Sequence, residues 1–176
     1  MIDQAERLRN LMAHREIAAK QQRKRCICIV YPNKQGGANK FVENFATSLK
    51  SLDKKTCVAK DAKESVELKK ENDVVLFSLD NTNKEIFDAC EDIIVVSTND
   101  SSDILATYLM IKENIKYSKK MQLVLLAGCK ESKAEKALAG FIKVIKSHTK
   151  KSIKPLGYII DDDQIYYDFI LENLMN

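Results

Sequence analysis

Residues 31–41, which read YPNKQGGANKF, contain the side chains of this chain that come closest to a recognisable chemistry. Its candidate phosphate-binding residues are Lys34, Gly36, Gly37 and Lys40. Adjacent glycines let backbone N–H groups surround phosphate oxygens, and a following lysine neutralises their charge. A phosphate loop then places Ser or Thr on Mg²⁺, whereas Phe41 has no oxygen to offer a hard cation. The sequence therefore predicts a phosphate loop that has lost its metal ligand.

The elements that would position this loop follow from the apolar pattern of the whole chain. Apolar runs rich in β-branched residues lie at 26–31, 56–60, 74–79, 93–98, 121–127 and 156–160. Helical patterns lie at 38–51, 62–70, 101–115, 131–147 and 164–174. This alternation predicts an α/β fold with a doubly wound, mainly parallel β-sheet and helices on both faces. Ligands of such sheets bind beyond the carboxyl ends of the strands, which here means residues 32–39 and 80–84.

The composition is ordinary for a soluble globular protein, with 45% hydrophobic and 31% charged residues. No apolar run approaches the roughly 20 residues that a membrane span requires. The chain also opens without the basic and then apolar pattern of a signal peptide. We therefore expect a cytoplasmic protein with no stable membrane insertion.

The five cysteines and two histidines do not form a metal-binding pattern. Cys26 and Cys28 would share one face of a strand, but no second Cys or His pair follows at the spacing of a zinc site. His14 and His148 are too isolated for a metal site or a catalytic triad. Buried thiols that act as small hydrophobic residues are the favoured interpretation, and no metal is expected.

Charge is unevenly distributed, although the net charge is only +4. Residues 17–42 contain bases and no acid, residues 112–154 are rich in lysine, and residues 161–176 contain acids and no base. Solvated helix faces explain most of this pattern. Binding to nucleic acid or to another acidic surface is the alternative, and nucleic acid is not the expected partner.

The N-terminal segment has the pattern of a short amphipathic helix. One stripe of a helix over residues 2–12 would carry Ile2, Ala5, Leu8 and Met12. A helix this short is marginal alone in water, so it packs on its own domain or on a partner. We therefore divide the chain into residues 1–25, an interaction helix with a basic linker, and residues 26–176, an α/β domain.

Several motifs resemble one family, in the same order along the chain. Residues 3–9, DQAERLR, resemble the D-Q-A-x-x-L-R motif that opens FlhG (YlxH), a flagellar-number regulator among the MinD/ParA P-loop ATPases. Residues 92–103, DIIVVSTNDSSD, resemble the family's D-E-I-I-V-V-T-T-P-E-P-T strand and loop. Residues 106–112 and 156–159 are similar to its A-Y-A-L-I-K helix and its late L-G-Y-I strand. The resemblance spans nearly the whole chain and implies the MinD/ParA-like P-loop NTPase fold.

The phosphate loop departs from the family pattern K-G-G-V-G-K-S/T. Lys34 would stand for the first lysine and residues 36–41 for the remainder, with Gln35 inserted. An ungapped alignment from the following helix fits the motif less well, because it places Ala38 and Asn39 at the lysine and hydroxyl positions. Both alignments lack the hydroxyl that would bind Mg²⁺.

The second switch and the adenine-binding loop also depart from the family. The family's D-T-G-A-G switch corresponds to residues 78–82, SLDNT, which contain no glycine and carry Asp80 two residues late. The asparagine that would read adenine is absent from residues 125–128, LLAG. Phosphoryl transfer depends on positioning and electrostatics around Mg²⁺, so the sequence predicts a pseudo-ATPase with no ATP or Mg²⁺ as cofactor.

The resemblance implies a non-enzymatic regulator of flagellar assembly and number. In the family, the N-terminal helix docks on FlhF, a GTPase of the signal-recognition-particle type, and stimulates its GTP hydrolysis. By this resemblance Gln4 would act on the partner's attacking water, and Asp3, Ala5, Leu8 and Arg9 would bind the partner. The partner would recruit the chain to the cell pole or flagellar base, where other basal-body or polar proteins are further candidate partners.

Two other functions stay open at this point. In an active ATPase with a divergent loop, Lys34 or Lys40 would contact phosphates and Asp80 would reach the metal. In a module that binds DNA or an acidic surface, the lysine-rich residues 112–154 would form the contact face.

Overall fold

The computed structural model describes residues 24–32, 37–80, 82–128, 130–160 and 163–175, with the backbone alone for residues 37–39. Its strands are β1 (Arg25–Val30), β2 (Thr56–Val58), β3 (Val74–Leu79), β4 (Asp92–Thr98), β5 (Met121–Leu126) and β6 (Lys154–Ile159). Its α-helices are α1 (Gly37–Ser51), α2 (Ala62–Glu71), α3 (Lys84–Ala89), α4 (Ser101–Glu113), α5 (Glu131–Thr149) and α6 (Gln164–Met175). A 3₁₀ turn covers Ile115–Tyr117.

The six strands form one sheet in the order β2-β3-β1-β4-β5-β6, and every neighbouring pair is parallel. The chain first builds the sheet on one side of β1, with β3 and β2, and then on the other side, with β4, β5 and β6. β1 is therefore the central strand, and it pairs with β3 and β4. The predicted doubly wound α/β fold is confirmed.

Helices cover both faces of this sheet because successive strand residues point to opposite faces. On β1, Cys26, Cys28 and Val30 join a core with α4 and α5, while Ile27 and Ile29 join a second core with α1 and α6. All five side chains are at most 2% exposed. Burial on both faces explains why β1 reads as a continuous apolar run in the sequence.

The sheet edge at β6 contains two residues that weaken a strand. Pro155 removes one N–H donor, which an edge strand tolerates, and Gly157 adopts a φ of 150° beside a register shift between Leu123 and Val124 of β5. β6 begins at Lys154, two residues before the predicted start at 156. The bulge and the proline make this edge a poor template for another strand.

Two short elements were not predicted from the sequence. The six-residue helix α3 lies between β3 and β4, and the 3₁₀ turn follows α4, which ends at Glu113 rather than at residue 115. Asn83 caps α3 by accepting hydrogen bonds from the backbone N–H groups of Glu85 (3.0 Å) and Ile86 (3.3 Å). Such a cap stabilises a single helical turn that is too short to show a periodic pattern.

Candidate functional site

The carboxyl ends of β1, β3 and β4 meet where the chain turns from β1 toward α1. Tyr31, the residue after β1, donates its backbone N–H to the carbonyl oxygen of Leu79 at the end of β3 (2.9 Å). Its side chain is 4% exposed. The loop that follows therefore begins at the carboxyl end of the central strand, which is where ligands of a doubly wound fold are expected to bind.

Helix α1 begins at Gly37, which fixes where the predicted loop residues lie. Lys34 and Gly36 fall outside the described residues, and Lys40 is an exposed side chain in the fourth helical position. In a phosphate loop, the lysine and the hydroxyl residue directly follow the glycine that leads into the helix. Here the residues after Gly37 are Ala38 and Asn39. The helix start thus favours the ungapped alignment, in which Lys40 is not the phosphate-binding lysine.

Phe41 belongs to the hydrophobic core between α1 and α6. Its side chain is 1% exposed. Its ring stacks on Phe45 at a centroid distance of 5.8 Å and tilts against Tyr167 of α6 at 5.3 Å. Aromatic contacts of this kind fix α1 against α6. A residue in this position serves packing between the two helices, whichever alignment of the loop is adopted.

The end of β3 carries the residues aligned with the second switch. Ser78 and Leu79 are half-buried strand residues, and Asp80 is exposed just after the strand. Asn83 caps α3 with its side chain. The described part of this segment therefore caps α3 through Asn83 and leaves the Asp80 carboxylate exposed at the carboxyl end of β3.

A buried carboxylate, that of Asp103, lies beside the end of β4 and was not found from the sequence. The Thr98 hydroxyl donates a hydrogen bond to the carboxylate of Asp103, which is 5% exposed, and the Asp100 N–H donates to the Thr98 hydroxyl (3.2 Å). Burial, together with the nearby charge of Asp103, raises the pKa of Tyr31. The signal available in the sequence was the run of Asp and Ser that follows an apolar strand.

The boundary between linker and domain needs one correction. Arg25, assigned to the basic linker, is the first residue of β1. Its guanidinium lies 3.8 Å from the Asp92 carboxylate and donates to the carbonyl oxygen of Leu174 at 3.4 Å.

The residues predicted to act on the partner lie outside the described residues; they are Gln4, Asp3, Ala5, Leu8 and Arg9.

Cys26 and Cys28 share one face of β1, as predicted, and Cys57 is half-buried. Cys26, Cys28 and Cys90 are buried free thiols on one face of the sheet. A hydrogen bond with Cys90, together with burial, raises the pKa of Cys28, so this thiol is unreactive at neutral pH. Within the described ranges, no group of three His, Cys, Asp or Glu side chains is arranged to hold a metal ion.

Comparison with solved structures places this geometry in a known class of folds. The chain is similar to the MinD cell division protein of Aquifex aeolicus, with a TM-score of 0.55, 13% identity and coverage of 85% of this chain and 86% of that chain. A chain of the MinC:MinD cell division protein complex of the same organism gives a TM-score of 0.57 at 12% identity over 85% of this chain and 86% of that chain. A ParA family ATPase from Chlorobium tepidum TLS gives 0.54 at 9% identity over 86% and 90%. No family model matches the sequence, and no curated protein matches it significantly.

The class that emerges is the MinD/ParA-like P-loop NTPase fold, a parallel six-stranded sheet between two layers of helices. At identities of 9–13%, this similarity concerns the fold alone. No helix in the described ranges is long and apolar enough to cross a membrane.

Proposed function

We propose that this chain is a non-enzymatic regulator of flagellar assembly, in which a MinD/ParA-like scaffold carries an N-terminal segment that activates a GTPase. The observation that carries the proposal is the start of α1. Gly37 leads into Ala38 and Asn39, where a working loop has lysine and a hydroxyl, and the next aromatic residue, Phe41, is committed to the core. The scaffold therefore has the fold of an ATPase without the groups that ATP hydrolysis requires.

The missing groups act on the phosphates and the metal, so their loss removes catalysis rather than only weakening it. Mg²⁺ bridges the β- and γ-phosphates in P-loop enzymes and is held by the loop hydroxyl. No described side chain replaces that hydroxyl at the start of α1, and Asp80, the carboxylate that the divergent-ATPase alternative would use on the metal, stands exposed just after β3. The chain is a pseudo-ATPase that works without ATP or Mg²⁺.

Activity then resides in the N-terminal segment, residues 1–25. The D-Q-A-x-x-L-R motif supports an FlhF-like GTPase of the signal-recognition-particle type as its partner. Gln4 orients the attacking water, because a side chain that does so in a GTPase contributes orders of magnitude to the rate. Asp3, Ala5, Leu8 and Arg9 hold the helix on the partner, which recruits the chain to the cell pole or flagellar base. Without a nucleotide switch, the activator is constitutive or is controlled by another contact.

The test is the GTP hydrolysis rate of a purified FlhF-like GTPase with and without this chain. Full-length protein and a peptide of residues 1–25 should both raise the rate at least about tenfold, since positioning groups of this kind are worth more than that in GTPases. Gln4→Ala should remove most of the stimulation. Glu6→Ala is the control and should leave the stimulation intact, because the motif accepts any residue at that position. A partner GTPase that is unaffected by both the full chain and the peptide would refute the proposal.

A further inference from the structure

A groove on the outer edge of the sheet is not used by the proposed function. It lies between β6, the start of α5 and α6, and has a volume of about 240 Å³. Its lining residues are Glu131, Tyr158, Ile165, Tyr166 and Phe169. We refer to it as the β6–α6 groove. It lies on the far side of the sheet from β2 and is separated from β1 by two strands.

The floor of the groove exposes large apolar side chains. Ile165 is 69% exposed and Phe169 is 52% exposed, although the other large apolar residues of α6 pack on the sheet. The Phe169 ring packs against the backbone of Gly157 and lies 3.6 Å from the position that a Cβ would take there. Two neighbouring apolar side chains on one helix face form a patch of the kind that another segment covers.

The rim of the groove is acidic. The Glu131 carboxylate accepts a hydrogen bond from the Tyr158 hydroxyl (2.9 Å), and burial followed by the influence of Glu131 and Glu135 raises the pKa of Tyr158 to about 12. Glu172 is exposed on α6, which has no basic residue. A segment that covers the groove must therefore combine apolar side chains with positive charge.

Arg25, the first residue of β1, places the start of the described chain next to the last turn of α6, at the opposite end of that helix from the groove. The Arg25 guanidinium contacts both the carbonyl oxygen of Leu174 (3.4 Å) and the sulfur of Met175 (3.3 Å). From Met175 back to Ile165, α6 extends about 15 Å at 1.5 Å per residue. Residues 1–23 precede this point and would span about 34 Å as a helix. The segment is thus attached about 15 Å from the groove, at the other end of α6, and is long enough to reach it.

We propose that residues 1–23 dock in the β6–α6 groove of their own chain. The predicted apolar stripe with Leu8 and Met12 would cover Ile165 and Phe169. The segment is complementary in charge, because its five bases outnumber its three acids; these are Arg7, Arg9, Arg15, Lys20 and Arg23 against Asp3, Glu6 and Glu16. Docking hides the apolar stripe and leaves less of the segment available to a partner.

This contact does not depend on the identity of the partner and holds even if the GTPase proposal fails. If both are correct, docking controls the activator in place of a nucleotide. The partner then competes with the groove for the same stripe, and loss of docking raises the partner's apparent affinity.

The contact can be tested with a single fluorophore, because the chain contains no tryptophan. Ile165→Trp places an indole in the groove of the full-length protein. We expect its acrylamide quenching constant to rise at least twofold when Leu8→Asp and Met12→Asp are added. Glu172→Lys, a milder change on the rim, should also raise quenching. An indole that is equally accessible with and without the two aspartates would overturn the proposal.

Two controls separate docking from other causes. Leu109→Trp reports from α4, on the opposite face of the sheet, where Leu109 is 46% exposed; its quenching should not respond to the aspartates. The quenching of the Ile165→Trp protein should also be independent of protein concentration. Protection that disappears on dilution would assign the groove to a second copy of the chain and would contradict intramolecular docking.

Discussion

At the scale of single residues, Phe41 shows how far sequence reasoning reaches. Its type alone argues against a role as a metal ligand, because an aromatic ring offers no oxygen to Mg²⁺. The sequence did not reveal that its ring lies between Phe45 and Tyr167, because that contact joins α1 to a helix more than a hundred residues later. The start of α1 at Gly37 was equally decisive for the alignment of the loop, and helix boundaries are fixed by local hydrogen bonds that composition does not specify.

The packing role of Phe41 gives a direct prediction. Phe41→Ser, which would restore a hydroxyl to the motif, should lower the free energy of unfolding by about 3–5 kcal/mol, because it leaves a cavity between α1 and α6. It should not create Mg²⁺-dependent ATP turnover. Urea unfolding and a phosphate-release assay measure the two outcomes. Phe41→Leu is the matched control and should cost less than about 1.5 kcal/mol. Turnover gained by the serine variant would restore Phe41 to the nucleotide site.

A second residue-scale prediction concerns Glu91 and pH. Burial would raise the pKa of Glu91, but hydrogen bonds from the Lys69 ammonium (2.7 Å) and the Cys26 N–H (2.6 Å) outweigh it and lower the pKa below the usual 4.5. A carboxyl with a lowered folded-state pKa stabilises the fold above its unfolded-state pKa. That stability is lost as pH falls through the folded-state value.

Glu91→Gln should therefore reduce the unfolding free energy at pH 7 by about 1 kcal/mol, a value limited by the partial exposure of the pair. Its stability should match that of the parent protein more closely below pH 4 than at pH 7. Thermal unfolding between pH 3 and pH 7 gives the measurement. Glu67→Gln, which breaks the more exposed pair with Lys70 (2.7 Å), is the control and should change little. Equal loss at both ends of the pH range would contradict the assignment.

At the scale of elements, the apolar periodicity predicted all six strands and five of the six α-helices to within about two residues at most ends. The parallel strand direction followed from the strand–helix alternation. Each helix carries the chain back to the end of the sheet at which the previous strand began, so the next strand runs in the same direction. Helix α3 was missed because it has a single turn and depends on the Asn83 cap rather than on periodicity. The hydrogen bond from the Thr98 hydroxyl to the buried Asp103 carboxylate was missed because it forms only when the β4–α4 turn brings the two residues together.

The contact between α1 and α6 gives an element-scale prediction. Ser48 is 1% exposed, and its hydroxyl donates to the Asp168 carboxylate of α6 (2.6 Å) while the Gln164 amide donates to it. Ser48→Ala should cost about 1–2 kcal/mol, because it leaves these two polar groups without their shared partner. Thr47→Ala removes a neighbouring hydroxyl that bonds within α1 (2.9 Å to the Glu43 carbonyl oxygen) and should cost under about 0.5 kcal/mol. If chemical denaturation gave the two variants equal losses of unfolding free energy, the hydrogen bonds of Ser48 would not stabilise the contact between α1 and α6.

At the scale of the whole molecule, the fold is similar to MinD and ParA structures at identities of only 9–13%. Such divergence is compatible with one fold because the buried faces of the central strands require apolar residues rather than particular ones. The same freedom does not extend to a phosphate loop, where the lysine, the glycines and the hydroxyl each have one chemical task. Under the proposed function, this sheet is a scaffold that positions the N-terminal segment, and the residues after Gly37 do not provide for ATP hydrolysis.

The most direct test of this account is a calorimetric titration of Mg-ATP into the full-length protein. We predict no saturable heat up to millimolar nucleotide, and none with ADP, because the lysine and hydroxyl positions after Gly37 carry Ala38 and Asn39. Titration of MgCl₂ alone serves as the blank. Binding with one site per chain and a micromolar Kd that requires Mg²⁺ and is lost in Lys40→Ala would contradict the account and return this chain to the active ATPases.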